Sequence, residues 1–252
     1  MDAPLLVALD DGVLTLTLNR PEKRNALGVV LIDALHAALG RAELDPDVRV
    51  VAIRGAGKDF CAGADLGELL ASAERTPAEN ERDALHLGGV FTRIRRLPKP
   101  VVALVHGRAL AGGAGLATAC DLVLAADTAQ LGYPEIQRGF VPAMVMTILR
   151  RLAGERLAFD LVATGRLLGA EEARQAGLVS RVVPAAELDR AATALLAPLA
   201  AASASALALT KQLFYELDTA SFEDGIAAGA RINALARSTP DFHAAIARFL
   251  ER

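Results

Sequence analysis

Apolar and polar residues alternate over 5–9 and again over 13–18, with Asp10-Asp11-Gly12 between the two runs. This pattern predicts a β-hairpin closed by a tight turn. Over 27–44 the apolar residues fall into the helical period, and Asp45-Pro46-Asp47 stops it. A strand is predicted over 48–53. Residues 78–96 read as a charged amphipathic helix with Leu85, Leu87, Val90, Phe91 and Ile94 as its apolar positions, ended by Pro98 and Pro100. The wholly apolar run 101–105 predicts a buried strand of a parallel sheet, and 122–126 predicts another. Strands alternating with helices imply right-handed βαβ crossovers and an α/β fold. From 142 onward the pattern is nearly all helical: 144–152, 155–163, 170–176, a short strand at 178–183, then 185–201, 204–217, 221–237 and 240–251. The alanine-rich 185–209 stretch is expected to be buried on more than one side. This change of pattern divides the chain into an α/β core, 1–184, and a helical region, 185–252.

Two glycine-rich turns interrupt the core. His106-Gly107-Arg108-Ala109-Leu110-Ala111-Gly112-Gly113-Ala114-Gly115-Leu116 follows one predicted strand, and Asp59-Phe60-Cys61-Ala62-Gly63-Ala64-Asp65-Leu66 follows another. A strand, a small-residue turn and a helix together present unpaired backbone N–H groups at the positive end of a helix dipole. One such turn can serve close packing alone. Two can aim a pair of donors at a single carbonyl oxygen, which is what an oxyanion hole requires.

The composition narrows the choice of chemistry. The 252 residues are 53% hydrophobic, yet no uninterrupted apolar run reaches the length of a membrane span. A net charge of −3 gives no footprint for nucleic acid or an anionic membrane surface. An acidic start, Met1-Asp2-Ala3-Pro4, leads straight into a strand, so no signal peptide is expected and a cytoplasmic location is. The two cysteines, Cys61 and Cys120, are expected to be reduced and packed. Arg20, Lys23 and Arg24 form a local basic loop that could meet an anion or simply be solvated. Metal-ligand clusters, a Gly-x-Ser-x-Gly elbow and a dinucleotide fingerprint are all lacking from the sequence, which disfavours metal, serine-hydrolase and NAD chemistry.

Five stretches carry a resemblance: 18–27 (Leu-Asn-Arg-Pro-Glu-Lys-Arg-Asn-Ala-Leu), 60–66, 106–121, 131–136 (Leu-Gly-Tyr-Pro-Glu-Ile) and 173–179 (Ala-Arg-Gln-Ala-Gly-Leu-Val). Their order and spacing resemble the crotonase superfamily, the enoyl-CoA hydratase/isomerase family, over nearly the whole chain. The resemblance implies a crotonase-type ββα spiral core with a C-terminal all-helical trimerisation region. It implies an acyl-CoA thioester substrate, no separate cofactor, and a homotrimer or hexamer. The implied oxyanion donors are the N–H groups of Ala64 and Gly112, and the implied acid/base is Glu135, after Pro134. The implied substrate and CoA contacts are Lys23, Arg24, Ala26, Ala62, Ala64, Asp65, Leu66, Gly112, Gly115, Pro134 and Phe140, with Arg252 reaching CoA across a subunit boundary.

One position departs from the pattern. Many hydratases of the family carry a second glutamate where this chain has Gly115. Hydration in the two-carboxylate scheme needs both, whereas moving a double bond needs a single base. Asp65, Glu68 and His106 lie near enough in sequence to be weighed as replacements. Asp65 is expected to be structural, His106 a cap and His86 a surface histidine, while His36 and His243 have no evident partner. The leading expectation is a hydratase, followed by a Δ3,Δ2-enoyl-CoA isomerase, then a decarboxylase, lyase or thioesterase. The non-enzymatic alternative is an acyl-CoA-binding scaffold.

Overall fold

In the computed structural model, residues 3–251 are described, so the expectation for Arg252 lies outside the described residues. The hairpin forms from β1 (Leu5–Asp10) and β2 (Val13–Leu18), paired antiparallel. Then come α1 (Val29–Leu44), β3 (Val50–Gly55), α2 (Leu66–Ala71), α3 (Pro77–Arg96) and β4 (Val101–Val105). They are followed by β5 (Arg108–Leu110), α4 (Gly112–Ala119), β6 (Leu122–Ala126) and β7 (Gln130–Gly132). Next are α5 (Ala143–Thr164, broken at Gly154), β8 (Leu167–Gly169), α6 (Ala170–Gln175) and β9 (Arg181–Val183). The chain closes with α7 (Leu188–Ala201), α8 (Ala204–Glu216), α9 (Phe222–Arg237) and α10 (Pro240–Leu250).

The main sheet has the order β1-β2-β3-β4-β6-β9, parallel except for the hairpin. Its central strands are apolar, Arg54 near the end of β3 apart, because both faces are covered. Val51 and Ile53 of β3 enter the large core under α1, α3, α4 and α5, while Val50 and Ala52 meet α7 on the other face. A second sheet, β5-β7-β8, rises beside the first.

Several expectations are corrected. Strands of three residues (β5, β7 and β8) stand where only turns or helices were expected. The last strand starts at Arg181, because Leu178 and Val179 are buried in the turn that follows α6. The 185–209 stretch is not buried on more than one side. It bends between α7 and α8, and α7 buries only the stripe Leu188, Ala192, Leu195 and Leu196. Leu85 is exposed, so the buried stripe of α3 is Val90, Phe91 and Ile94. Cys61 and Cys120 are free and buried. No helix among the described residues is long and apolar enough to cross a membrane.

Candidate active site

The small sheet sets the register of the site. Cys61 pairs in parallel with Ala109 of β5, and Ala109 pairs in parallel with Leu131 of β7. Three chain segments thus run side by side in one direction, aligned on the row Cys61–Ala109–Leu131. Ala64 lies three residues past that row, Gly112 three and Glu135 four. All three expected catalytic positions emerge at the same end of the same ladder.

Backbone conformation then brings the two turns together. Gly63 has φ +98°, and a β-carbon there would meet Ala111 Cβ at 2.8 Å and lie 3.5 Å from the Gly112 nitrogen, so the two turns touch. Ala111, the residue before α4, holds φ +53° although it is not glycine. Its own N–H donates to the Gly132 carbonyl at 2.8 Å, tying the start of α4 to β7. Such strain typically costs about 1–3 kcal/mol, and it persists where the surroundings over-determine it. The N–H groups of Ala64 and Gly112 have no acceptor among the described residues.

Glu135 sits in the first turn of a short 3-10 segment, Pro134–Arg138, as its position after proline predicts. It is only 9% exposed, and its Oε2 is buried with no hydrogen-bond partner. Burial pushes its carboxyl above the ordinary glutamate value, while its own backbone N–H and then the Arg138 charge pull the other way. Pro134 is buried as well, while Phe140 is exposed and donates its backbone N–H to the Glu135 carbonyl at 3.1 Å.

The basic loop is laced to the first turn. Leu27 N–H donates to Gly63 O, Ala62 N–H to Arg24 O and Asp65 N–H to Leu27 O. Asn25 is the staple, a buried residue at φ +56°. Its amide nitrogen donates to Ala56 O and Asp59 O, and its Oδ1 accepts from Arg20 N–H. Asparagine is among the few residues that adopt this conformation readily. The 18–27 stretch carried it as part of the family resemblance, without a role of its own. Ala26 is buried, Ala62 and Ala64 are half-buried, and Leu66 is exposed beside them. Lys23 and Arg24 are roughly half exposed at the rim.

The residues weighed as replacements for a second carboxylate are all engaged elsewhere. Asp65 caps α2 through Gly67 N–H and pairs with Arg20 and Lys23 at 2.8 and 2.9 Å. Its hydrogen bonds from Lys23, then Arg20, hold its carboxyl at about 2. Glu68 accepts from Val29 N–H at 2.9 Å, so it caps α1 from outside. His106 lies 3.0 Å from the Gly57 carbonyl. His86 meets Asp33 at 2.7 Å and stacks on His36, both away from the site.

Gly115 is the decisive position. It is buried in α4, where a β-carbon would overlap Val145 Cγ1 of α5 and stand 3.2 Å from the Phe91 ring of α3. Gly112, one turn earlier, faces Leu27 and Leu87 at 3.3 and 3.7 Å by the same measure. The wall of the site on this side is therefore apolar and already full. Val145 was missed from the sequence because nothing local marks it.

A family profile described as "Enoyl-CoA hydratase/isomerase" matches residues 9–252. A Thermus thermophilus protein named as an enoyl-CoA hydratase is 44% identical over 248 residues, 98% of each chain. The 2,3-dehydroadipyl-CoA hydratase of Escherichia coli is 36% identical over 249 residues, covering 98% of this chain and 96% of that one. The crystal structure of an enoyl-CoA hydratase from Mycobacterium smegmatis superposes with a TM-score of 0.95 at 35% identity, covering 99% and 97% of the two chains. Parallel sheet and helical C-terminal region match that fold, and the chain belongs to the enoyl-CoA hydratase/isomerase family.

Proposed function

We propose that the protein adds water to a 2-enoyl-CoA thioester, or removes it, using Glu135 as the only carboxylate at the reaction centre among the described residues. The observation that carries this reading is the unpartnered, buried Glu135 Oε2 at the same ladder end as two N–H groups without acceptors. Water attacks C3, and the electrons of the C2=C3 bond move onto the thioester oxygen, where the Ala64 and Gly112 N–H groups receive the charge. One such donor is typically worth about 3 kcal/mol of barrier. Glu135 takes a proton from the attacking water and delivers it to C2, so one carboxylate closes the proton balance without a cofactor. Lys23 and Arg24, at the rim of the first turn, suit the phosphates of CoA.

The apolar wall at Gly115 favours a second reading, Δ3,Δ2-enoyl-CoA isomerisation, in which Glu135 moves a proton from C2 to C4. A crotonyl-CoA assay following loss of the conjugated thioester absorbance tests the first reading, with Glu135→Gln as the control. Turnover abolished by the substitution supports the hydratase. No turnover by the wild type, together with conversion of a 3-enoyl-CoA, replaces it by the isomerase. The same reading includes self-association as a trimer or pair of trimers, supported by apolar side chains left exposed on α8, α9 and α10, among them Phe214, Phe222 and Phe249. Sedimentation of the purified chain tests that part.

A further inference from the structure

The cations of the basic loop, Arg20, Lys23 and Arg24, are not equally engaged. Arg20 has its terminal nitrogens occupied: Nη1 donates to the Ala26 carbonyl and Nη2 to Asp65 Oδ2, both at 2.8 Å. Lys23 donates to the same Asp65 oxygen at 2.9 Å. The Arg24 guanidinium makes no hydrogen bond among the described residues, and its side chain is 54% exposed. Its ion pair is with Asp59, where Nε lies 3.7 Å from Oδ2, beyond hydrogen-bonding distance.

Asp59 is only 2% exposed, and its two oxygens differ. Oδ1 accepts the Arg108 N–H at 3.0 Å, which ties it to β5. Gly107, at φ +56°, leaves room for that carboxylate, since a β-carbon there would stand 2.9 Å from Oδ1. Oδ2 is buried with no hydrogen-bond donor, so Arg24 alone answers its charge. A carboxylate taken out of water is costly unless a cation or donors compensate it. The backbone of Arg24 is fixed as well. It holds φ +50°, donates its N–H to the Pro21 carbonyl at 3.0 Å and accepts from Ala62 N–H at 2.9 Å. The outcome is a guanidinium drawn by its Nε toward a buried charge, with both terminal nitrogens left for an acceptor from outside. Such a fork matches two oxygens of a phosphate.

We infer that Asp59 is a positioning residue, which acts through Arg24 to set that guanidinium for a phosphate of the CoA nucleotide. Lys23 shares its charge with Asp65, so Arg24 is the stronger phosphate ligand of the loop. Through the bond from Ala62 N–H, the phosphate site is tied to the turn that carries the Ala64 donor, so binding far from the reacting carbons helps to hold the donor in place. The inference rests on the acyl-CoA reading proposed above.

The test compares crotonyl-CoA with crotonyl-pantetheine, which has the same thioester and no phosphate. The ratio of kcat/KM, CoA over pantetheine, is expected to fall roughly tenfold in Arg24→Gln, the worth of one charge-assisted hydrogen bond. It is expected to fall several-fold in Asp59→Asn, which keeps an acceptor for Arg108 N–H and removes the charge facing Nε. A merely structural role for Asp59 would slow both substrates alike and leave the ratio intact, which overturns the inference. In the double variant the ratio should be no lower than in Arg24→Gln alone, and a full additive loss also overturns it. Should Asp59→Asn fail to fold, Arg24→Lys decides: it keeps the charge without the fork, and a ratio equal to wild type overturns the inference. A wild type that neither hydrates crotonyl-CoA nor binds acetyl-CoA in calorimetric titration sinks the functional reading itself. Where acetyl-CoA binds without turnover, its affinity relative to acetyl-pantetheine in the same variants decides the inference by binding alone.

Discussion

Two carboxylates in this molecule, the buried Glu135 and the largely buried Asp121, have opposite surroundings. Asp121, at the end of α4, accepts from Val101 N–H at 2.7 Å, Lys211 Nζ at 2.6 Å and Tyr215 Oη at 2.8 Å. Lys211 in turn donates to the carbonyls of Ile94 and Lys99, so its three protons all have acceptors. This network joins α8 to the ends of α3 and α4. Glu135 has nothing comparable, and its Oε2 is left bare. Burial raises the carboxyl of both; at Asp121 the Lys211 charge and three donors work against that rise, and at Glu135 only its own backbone N–H and the Arg138 charge do. A satisfied carboxylate fastens elements together, and a bare one is free to exchange a proton with something that enters.

The largest expected effect breaks the comparison on the Glu135 side. Glu135→Gln should lower kcat for enoyl-CoA hydration by about 10²–10⁴-fold, the usual worth of a positioned acid/base. The same variant should melt at a higher temperature than wild type at pH 7. A carboxyl raised by burial contributes stability below its unfolded pKa and loses it as pH rises through the folded value, so at pH 7 the neutral amide is the better-tolerated group. The melting difference should disappear in acid, and a calorimetric pH series checks it.

Breaking the other side should do the reverse. Lys211→Met is expected to cost about 3–5 kcal/mol, because Asp121 is left buried with its countercharge gone. Denaturant unfolding would measure it. The double change Asp121→Asn with Lys211→Met should recover most of that loss, and a double-mutant cycle reads the coupling.

A smaller effect sharpens the assignment. Since burial raises the Glu135 carboxyl and the base must be ionised, the acid limb of kcat/KM should lie above the ordinary glutamate value, with activity falling as pH falls through it. A limb at the ordinary value would detach Glu135 from the rate. The smallest expected effect is Ala111→Gly, which relieves φ +53° but loosens the unfolded chain, leaving a net change under about 1 kcal/mol.

What could be read from the chain divides along the range of the interactions. The β1–β2 hairpin, the long helices and the buried parallel strands follow from periodicity, which is local. So does the placement of Glu135 in a helical first turn, since proline and carboxylate both favour it. The strands β5, β7 and β8 could not be read, because three residues carry no period and their pairing is supplied by neighbours far away in sequence. Val145 over Gly115 belongs to the same class, as does Glu68 capping α1 from another helix. The 185–209 stretch misled because alanine suits a helix surface as well as a helix interior. Composition did not tell the two apart.

The row Cys61–Ala109–Leu131 has a consequence for what the gene can vary. Because Ala64, Gly112 and Glu135 are reached by counting three, three and four residues from one hydrogen-bonded row, their spacing is held by the ladder rather than by side chains. Residues within those short spans can be exchanged for others that fit. A single codon inserted into or deleted from any one of them would carry its group off the common edge, while the same insertion in the turn between α9 and α10 would leave all three in line.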